Sequence, residues 1–173
     1  METPENNRNN ISKLLDRGFA SHLSSDASER SGEPSQHVVI VTCMDTRINP
    51  YRIFNLKEGE VHLLRNAGGV ISTDVIRSIL VSQRLLNTTE VIVVQHTKCG
   101  MATFDGERFK DEIERETHLR PDFEMYTFED VYENVKASLH VLHDSAFLTQ
   151  TTNIRGFVYD VDHDHLEEVE VGR

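Results

Sequence analysis

The sequence predicts an α/β fold, with a mainly parallel central sheet of about four strands flanked by helices and a C-terminal antiparallel hairpin strand. Short apolar runs occur at 37–42 (HVVIVT), 60–64 (EVHLL), 90–95 (EVIVVQ) and 154–161. Such runs are typical of strands that are buried on both faces of a parallel sheet. Amphipathic segments separate them, and strands that alternate with helices indicate a parallel sheet covered on both faces.

Helix signals lie between these runs. Ser72 or Thr73 can cap a helix that continues to about Leu86. The pair Thr127 and Asp130 resembles a capping box, which predicts that the last helix begins directly after Thr127. The charged segment 105–125 is expected to form a surface helix and loop, and DVDHDH at 160–165 the turn of the hairpin.

The chain is predicted to have two parts. Residues 1–35 form an N-terminal helical arm and linker, because Ile11, Leu14, Leu15 and Phe19 fall on one helical face and a Ser-, Gly- and Pro-rich stretch follows. Residues 36–173 form one α/β domain, which is also the part expected to bind a metal.

Charge and composition restrict the possible partners. The net charge is -11, with 18 Lys and Arg against 29 Asp and Glu. An acidic chain repels phosphate backbones and anionic lipid, so we expect neither nucleic acid nor membrane as a partner. No apolar run is long enough to span a bilayer, and the first residues lack the apolar core of a signal peptide. With two cysteines, too few for a disulfide framework, we expect a soluble protein of a reducing compartment, the cytosol.

Three metal-ligand side chains follow predicted strands. Cys43 comes directly after the first strand, and His96 and Cys99 come directly after the third. Ligands of parallel sheets gather at the carboxyl ends of strands, so these side chains converge if the two strands are neighbours. Two thiolates and an imidazole suit zinc, which predicts one Zn²⁺ per chain. Two alternatives are simple burial of the thiols and a disulfide between them, which a cytosolic setting disfavours.

A carboxylate and a guanidinium flank the same position. Asp45 and Arg47 lie two and four residues after Cys43. They could form an ordinary surface ion pair, which would contribute little. Beside a zinc ion, however, Asp45 can either bind the metal or pair with Arg47 and leave a coordination position for water.

These motifs resemble those of the beta-class carbonic anhydrases. C-M-D-x-R at 43–47 and H-T-x-C-G-M at 96–101 resemble a shorter subgroup of that class, and R-N-A-G-G at 65–69 resembles its R-N-A-G run. The resemblance implies a zinc enzyme that hydrates carbon dioxide to bicarbonate and a proton, with hydroxide supplied by zinc. It also implies a homodimer or larger assembly, in which helical arms wrap across the interface.

The resemblance also implies roles for individual residues. Asp45 and Arg47 would be catalytic, with Asp45 orienting the attacking water or hydroxide and Arg47 holding Asp45. Backbone N–H groups around Gly68 and Gly100 would shape the substrate pocket. Because hydroxide competes better for zinc as pH rises, we expect activity to be low near neutral pH and to climb at alkaline pH.

Two alternatives remain open at this stage, together with one further candidate site. The same zinc motif occurs in hydrolases of carbonyl sulfide and carbon disulfide. The second alternative is a catalytically inactive homologue that zinc merely stabilises. Structural zinc usually has a fourth Cys or His ligand, whereas the nearest fourth group here is Asp45, which is an exchangeable ligand. The further candidate is a second metal site at His140 and His143, which are more simply interpreted as surface or core histidines.

Overall fold

The computed structural model describes residues 10–11, 14–15, 31–149 and 153–170. The chain divides into two compact units, Met1–Ser31 and Gly32–Arg173. The described residues of the first unit before residue 31 are helical and exposed: Asn10, Ile11, Leu14 and Leu15. Phe19 and most of the expected linker lie outside the described residues, so the boundary near residue 35 stays a prediction.

The second unit contains a five-stranded sheet in the order β2-β1-β3-β4-β5. Strands β1 to β4 are mutually parallel where they pair, and β5 is antiparallel to β4, so the predicted fold class is confirmed. The observed strand ends lie within two residues of the predicted ones. The elements are, in chain order, β1 (Val38–Cys43), α1 (Pro50–Ile53), β2 (Val61–Asn66), α2 (Thr73–Leu85), β3 (Glu90–His96), α3 (Gly106–Thr117), α4 (Val131–His143), β4 (Ile154–Asp160) and β5 (His165–Val169).

Apolar residues are buried on both faces of β1. Val39 belongs to a core cluster that includes Ile79 of α2 and Leu139 of α4, whereas the next residue, Ile40, packs in a second cluster with Ile48. Successive side chains of a strand point to opposite faces, which is why the four consecutive residues 38–41 are all apolar. The second face is less well covered, since several of its residues are only half-buried: Leu63, Ile92, Phe157 and Leu166.

The start of α2 was predicted from the sequence, whereas helix α1 was not. Ser72 caps α2 as predicted, because its side chain accepts a hydrogen bond from the N–H of Val75. Helix α1 was not predicted from the sequence. It has only four residues, too few to show a helical period, and it depends on the local cap formed by Asn49 and on Pro50 in its first turn.

The predicted start of α4 is wrong. The helix begins at Val131, and its N-cap is Asp130 rather than Thr127. The Asp130 carboxylate accepts hydrogen bonds of 2.7 and 3.1 Å from the N–H groups two and three residues further on. The backbone N–H of Phe128 instead donates to the carbonyl of Met101 at 3.4 Å. This contact ties the segment before the helix to the turn after β3.

The cap of α4 gives a first testable expectation. Asp130→Ala should lower the free energy of unfolding by about 1 kcal/mol, the typical effect of removing an N-cap. Thr127→Ala is the matched control and should have a smaller effect, because Thr127 is not the cap. Urea denaturation of the two variants measures both values. Equal losses, or a larger loss for Thr127→Ala, would contradict the observed cap.

Among the described residues, no helix is both long and apolar enough to cross a membrane.

Candidate metal centre

Adjacent strands bring the three predicted ligands together. Strands β1 and β3 are paired neighbours, and Cys43 and His96 are their last residues. Cys99 follows three residues later, and all three side chains are buried. Their ligand atoms lie within 4.8 Å of one another, and within the described part of the chain they are the one group of three or more His, Cys, Asp or Glu residues close enough to hold a metal.

The spacing of the two sulfurs suits a tetrahedral ion. The Sγ atoms of Cys43 and Cys99 are 4.0 Å apart. Two thiolates on tetrahedral zinc, each about 2.3 Å from the metal, would be about 3.8 Å apart. The pair is therefore close to ligand geometry without a rearrangement of the backbone.

The His96 side chain is oriented for ligation. Its Nδ1 lies 2.9 Å from the carbonyl oxygen of Thr97. A carbonyl can only accept, so Nδ1 carries the hydrogen and Nε2 carries the lone pair. His96 Nε2 is buried and has no hydrogen-bond partner. A buried polar atom without a partner is costly, and a metal ion would satisfy it.

The Cys43 and Cys99 thiols are hydrogen-bond neighbours. The pKa of Cys43 is lowered, mainly by a hydrogen bond from the Cys99 thiol and further by the N–H groups of Asp45 and Gly68. The pKa of Cys99 is raised well above its usual value, because its proton is held by Cys43 and because it is buried. A metal bound by both sulfurs must displace that proton.

Asp45 is paired with Arg47. Asp45 Oδ1 accepts hydrogen bonds from the backbone N–H and the Nε of Arg47, at 2.9 and 3.0 Å, and Oδ2 accepts one from Nη2 at 2.8 Å. These bonds from Arg47 hold the pKa of Asp45 well below its usual range. Arg47 Nη2 also donates to the carbonyl of Lys98 at 3.0 Å, and Asp45 Oδ2 lies 3.8 Å from His96 Nε2. The carboxylate therefore stands beside the ligand atoms while it is bound to arginine.

The predicted pocket glycines lie close to the cysteines. A backbone hydrogen bond from Gly68 contributes to the lowered pKa of Cys43. Gly100 follows Cys99 and is exposed, with open space where a Cβ would be. A cleft of about 370 Å³ nearby is lined by other residues, among them Ala67 and Met101. A role for the two glycines in substrate binding remains a prediction.

Gly69 allows the turn after β2 to approach β1 closely. Its φ is +63°, and a Cβ there would lie 2.7 Å from the backbone nitrogen of Cys43. Gly69→Ala should therefore lower the free energy of unfolding by about 1–3 kcal/mol. Gly100→Ala is the matched control, because nothing lies within 4 Å of a Cβ at that position, and its melting temperature should not change. Equal melting temperatures for the two variants would contradict this packing.

Arg65, the first residue of the R-N-A-G-G run, has contacts at this edge of the sheet that the sequence did not predict. Arg65 lies within β2, and its guanidinium donates to three backbone carbonyls of the segment that follows β1. The available signal was a charged side chain near the end of a strand that precedes a Gly-rich turn. Neither feature predicts which backbone groups the guanidinium contacts.

Taken together, the fold and the ligand set define an α/β protein with a Cys₂His metal centre at the carboxyl edge of a parallel sheet. Residues 38–140 match the sequence profile of the carbonic anhydrase family. The chain belongs to this family, in its beta class.

Relatives and solved structures agree with this assignment. The chain is 48% identical to beta-carbonic anhydrase 1 of Mycobacterium tuberculosis over 136 residues, which cover 79% of this chain and 83% of that one. It is similar to the crystal structure of carbonic anhydrase from Streptococcus mutans, with a TM-score of 0.82, 31% identity and coverage of 94% and 99% of the two chains. It is also 28% identical to a carbon disulfide hydrolase of an Acidianus strain over 148 residues, which cover 71% and 72%.

Proposed function

We propose that this chain is a zinc enzyme that catalyses the reversible hydration of carbon dioxide to bicarbonate and a proton. The observation that carries the proposal is the convergence of Cys43, His96 and Cys99 beside a carboxylate that is bound to Arg47. Three protein ligands with one exchangeable position are typical of catalytic zinc, whereas structural zinc has four. Membership in the carbonic anhydrase family supports the reaction.

The residues around the ligands have distinct proposed roles. Zinc held by these ligands would supply hydroxide near neutral pH by lowering the pKa of a water. Asp45 Oδ2 accepts one hydrogen bond from Arg47, so it keeps a lone pair with which to orient that water. Arg47 fixes the carboxylate through three hydrogen bonds and would thereby leave a ligand position open for water. Gly68 and Gly100 are proposed to shape the walls of the substrate pocket.

The alternative functions have less support. The carbon disulfide hydrolase is less similar to this chain than the mycobacterial carbonic anhydrase is, at 28% against 48% identity. A purely structural zinc would require a fourth ligand, and Asp45, the neighbouring carboxylate, is engaged by Arg47.

Stopped-flow hydration of carbon dioxide tests the proposal, with zinc measured in the same preparation. Carbonyl sulfide and carbon disulfide should be run beside it as competing substrates. We expect rapid hydration of carbon dioxide and much slower hydrolysis of the two sulfur compounds. Hydrolysis of carbon disulfide without hydration of carbon dioxide would instead assign the chain to the alternative activity.

The chain is also proposed to form at least a homodimer. Ile11, Leu14 and Leu15 are exposed, with 68, 62 and 53% of their surface accessible, and apolar residues on one face of the sheet are only half-buried. Burial of such surfaces stabilises association. Light scattering at micromolar concentration should therefore give a mass of at least twice that of the chain. A monomer with full activity would contradict this expectation.

A reducing compartment, the cytosol, is the proposed location. Metal binding requires Cys43 and Cys99 in the reduced state, and neither forms a disulfide. The proposed partners are carbon dioxide, bicarbonate and a second copy of the chain, and the net charge of -11 disfavours nucleic acid and anionic membranes.

A further inference from the structure

Arg65 makes an unusual set of contacts with the segment that follows β1. Its Nε donates to the carbonyl of Cys43 at 2.9 Å. Its Nη2 donates to the carbonyls of Asp45 at 2.7 Å and of Ile48 at 3.0 Å. One side chain therefore binds three carbonyls within six consecutive residues, and this segment, 43–48, is called the Asp45 turn below.

The Asp45 turn carries three residues of the proposed site. Cys43 begins it, and Asp45 and Arg47 lie within it. Its backbone N–H groups have partners of their own: Met44 donates to the carbonyl of Asn66 at 2.8 Å, Asp45 to Cys43 Sγ, Arg47 to Asp45 Oδ1 and Ile48 to the carbonyl of Asp45. Arg65 binds the carbonyl side of the turn. The position of the Asp45 carboxylate therefore depends on how firmly the carbonyl side of the turn is held.

Arginine is suited to this task. The guanidinium is planar and presents five donors in a fixed arrangement, so one group can hold several carbonyls in a defined relative position. Arg65 makes no ion pair with a described residue, so its charge is directed to these carbonyl oxygens. A lysine in the same position has a single nitrogen and cannot span the three carbonyls in the same way.

We propose that Arg65 is a positioning residue for the hydration reaction, which acts by holding the Asp45 turn so that Asp45 and Arg47 face the metal ligands. This inference rests on the proposed function. Arg65 contacts neither the three ligand atoms nor the Asp45 carboxylate, so its effect must pass through the backbone. Arg65 is itself exposed, and its partners are backbone carbonyls rather than core side chains. Its removal should therefore loosen the turn more than it destabilises the fold.

The test uses the full chain with Arg65→Met and Arg65→Lys. Arg77→Met is the matched control, since Arg77 is an exposed arginine on α2 that pairs with Asp74. In the metal-free protein, hydrogen–deuterium exchange of the peptide that covers residues 44–49 should become faster in Arg65→Met. Exchange in the rest of Arg65→Met should remain unchanged. In Arg77→Met, exchange should remain unchanged throughout the chain. A merely structural role would instead raise exchange broadly and lower the melting temperature.

Kinetics of the zinc-loaded protein supply the second readout. For Arg65→Met we expect kcat to fall by about 10- to 100-fold with one zinc retained and little change in KM, because a small misplacement of a positioned group has effects of this size. Arg65→Lys should lie between this variant and the unmodified chain. Added to Asp45→Asn, Arg65→Met should cause little further loss, since both act on the same group.

Several results would overturn the proposal. The first is unchanged hydrogen–deuterium exchange of the Asp45 turn in Arg65→Met. The second is a double variant in which the kcat losses of Arg65→Met and Asp45→Asn multiply. The third is full activity of Arg65→Met. If Arg65→Met does not fold, Arg65→Lys carries the test. Failure of Arg65→Lys to fold would show that Arg65 is structural. If the unmodified zinc-loaded chain does not hydrate carbon dioxide, the proposed function fails. The exchange data still show whether Arg65 holds the turn.

Discussion

Replacement of Cys99 by alanine is expected to remove both the metal and the hydration activity. Cys99 supplies one of three ligand atoms that lie within 4.8 Å of one another, and only two would remain. Loss of groups that merely orient a ligand typically costs about 10- to 100-fold in affinity or activity, so loss of a ligand should cost more than about a hundredfold. The same result is expected for Cys43→Ala and His96→Ala.

Metal analysis after purification, together with stopped-flow hydration, measures both effects. His140→Ala is the control, because His140 is an exposed histidine on α4 outside the ligand group, and this variant should keep its zinc and its activity. Metal affinity should also fall as pH falls, because Cys43 and Cys99 bind a metal as thiolates and the pKa of Cys99 is raised. Full retention of zinc in Cys99→Ala, with activity intact, would contradict the site.

Arg47→Ala is expected to lose most of its activity while it keeps zinc. The substitution removes the guanidinium that holds the Asp45 carboxylate, which lies 3.8 Å from His96 Nε2. A freed Asp45 can occupy the fourth ligand position and exclude water. We expect a loss of about a hundredfold or more, comparable with the loss of a positioned acid–base group. Arg77→Ala breaks an exposed arginine–aspartate pair elsewhere and should have no effect.

The lowered pKa of Asp45 determines how the stability of the fold and the charge of this carboxylate change with pH. Arg47 holds this pKa below its usual range, so the pair stabilises the fold above the ordinary carboxyl pKa and weakens only as pH falls through the lower folded value. Asp45 thus stays ionised from slightly acid to alkaline pH. The expected rise of activity with pH must therefore come from ionisation of water and not from Asp45. A flat pH–rate profile over this range, together with a fully active Arg47→Ala, would show that the choice of Asp45 between the metal and Arg47 does not control activity.

The sequence predicts the sheet and the ligand positions because both depend on local patterns. Residues 38–41 are apolar throughout because β1 is buried on both faces, and Cys43 and His96 end strands that are neighbours in the sheet. Ligands at the ends of adjacent parallel strands must converge, so this part of the site follows from topology.

Other features depend on contacts that no local pattern encodes. The sequence pattern predicted Thr127 as the cap of α4, with Asp130 as its capping-box partner. The hydrogen bond between Phe128 and Met101 keeps the segment after Thr127 out of the helix, and Asp130 is the cap instead. Asp45 had two possible partners, and its bonds to Arg47 depend on the backbone of a short turn. The role of Arg65 depends on the register that places it opposite Thr42, which only the folded sheet defines.

Titration of zinc into the metal-free protein tests the central claim most directly, with hydration of carbon dioxide followed at each addition. Three ligand residues form one site, so activity should rise in proportion to bound zinc and reach its maximum at one zinc per chain. Magnesium at the same concentrations should restore nothing, because sulfur ligands do not suit it. Activity that is absent at full zinc occupancy, or that is independent of zinc, would contradict the account.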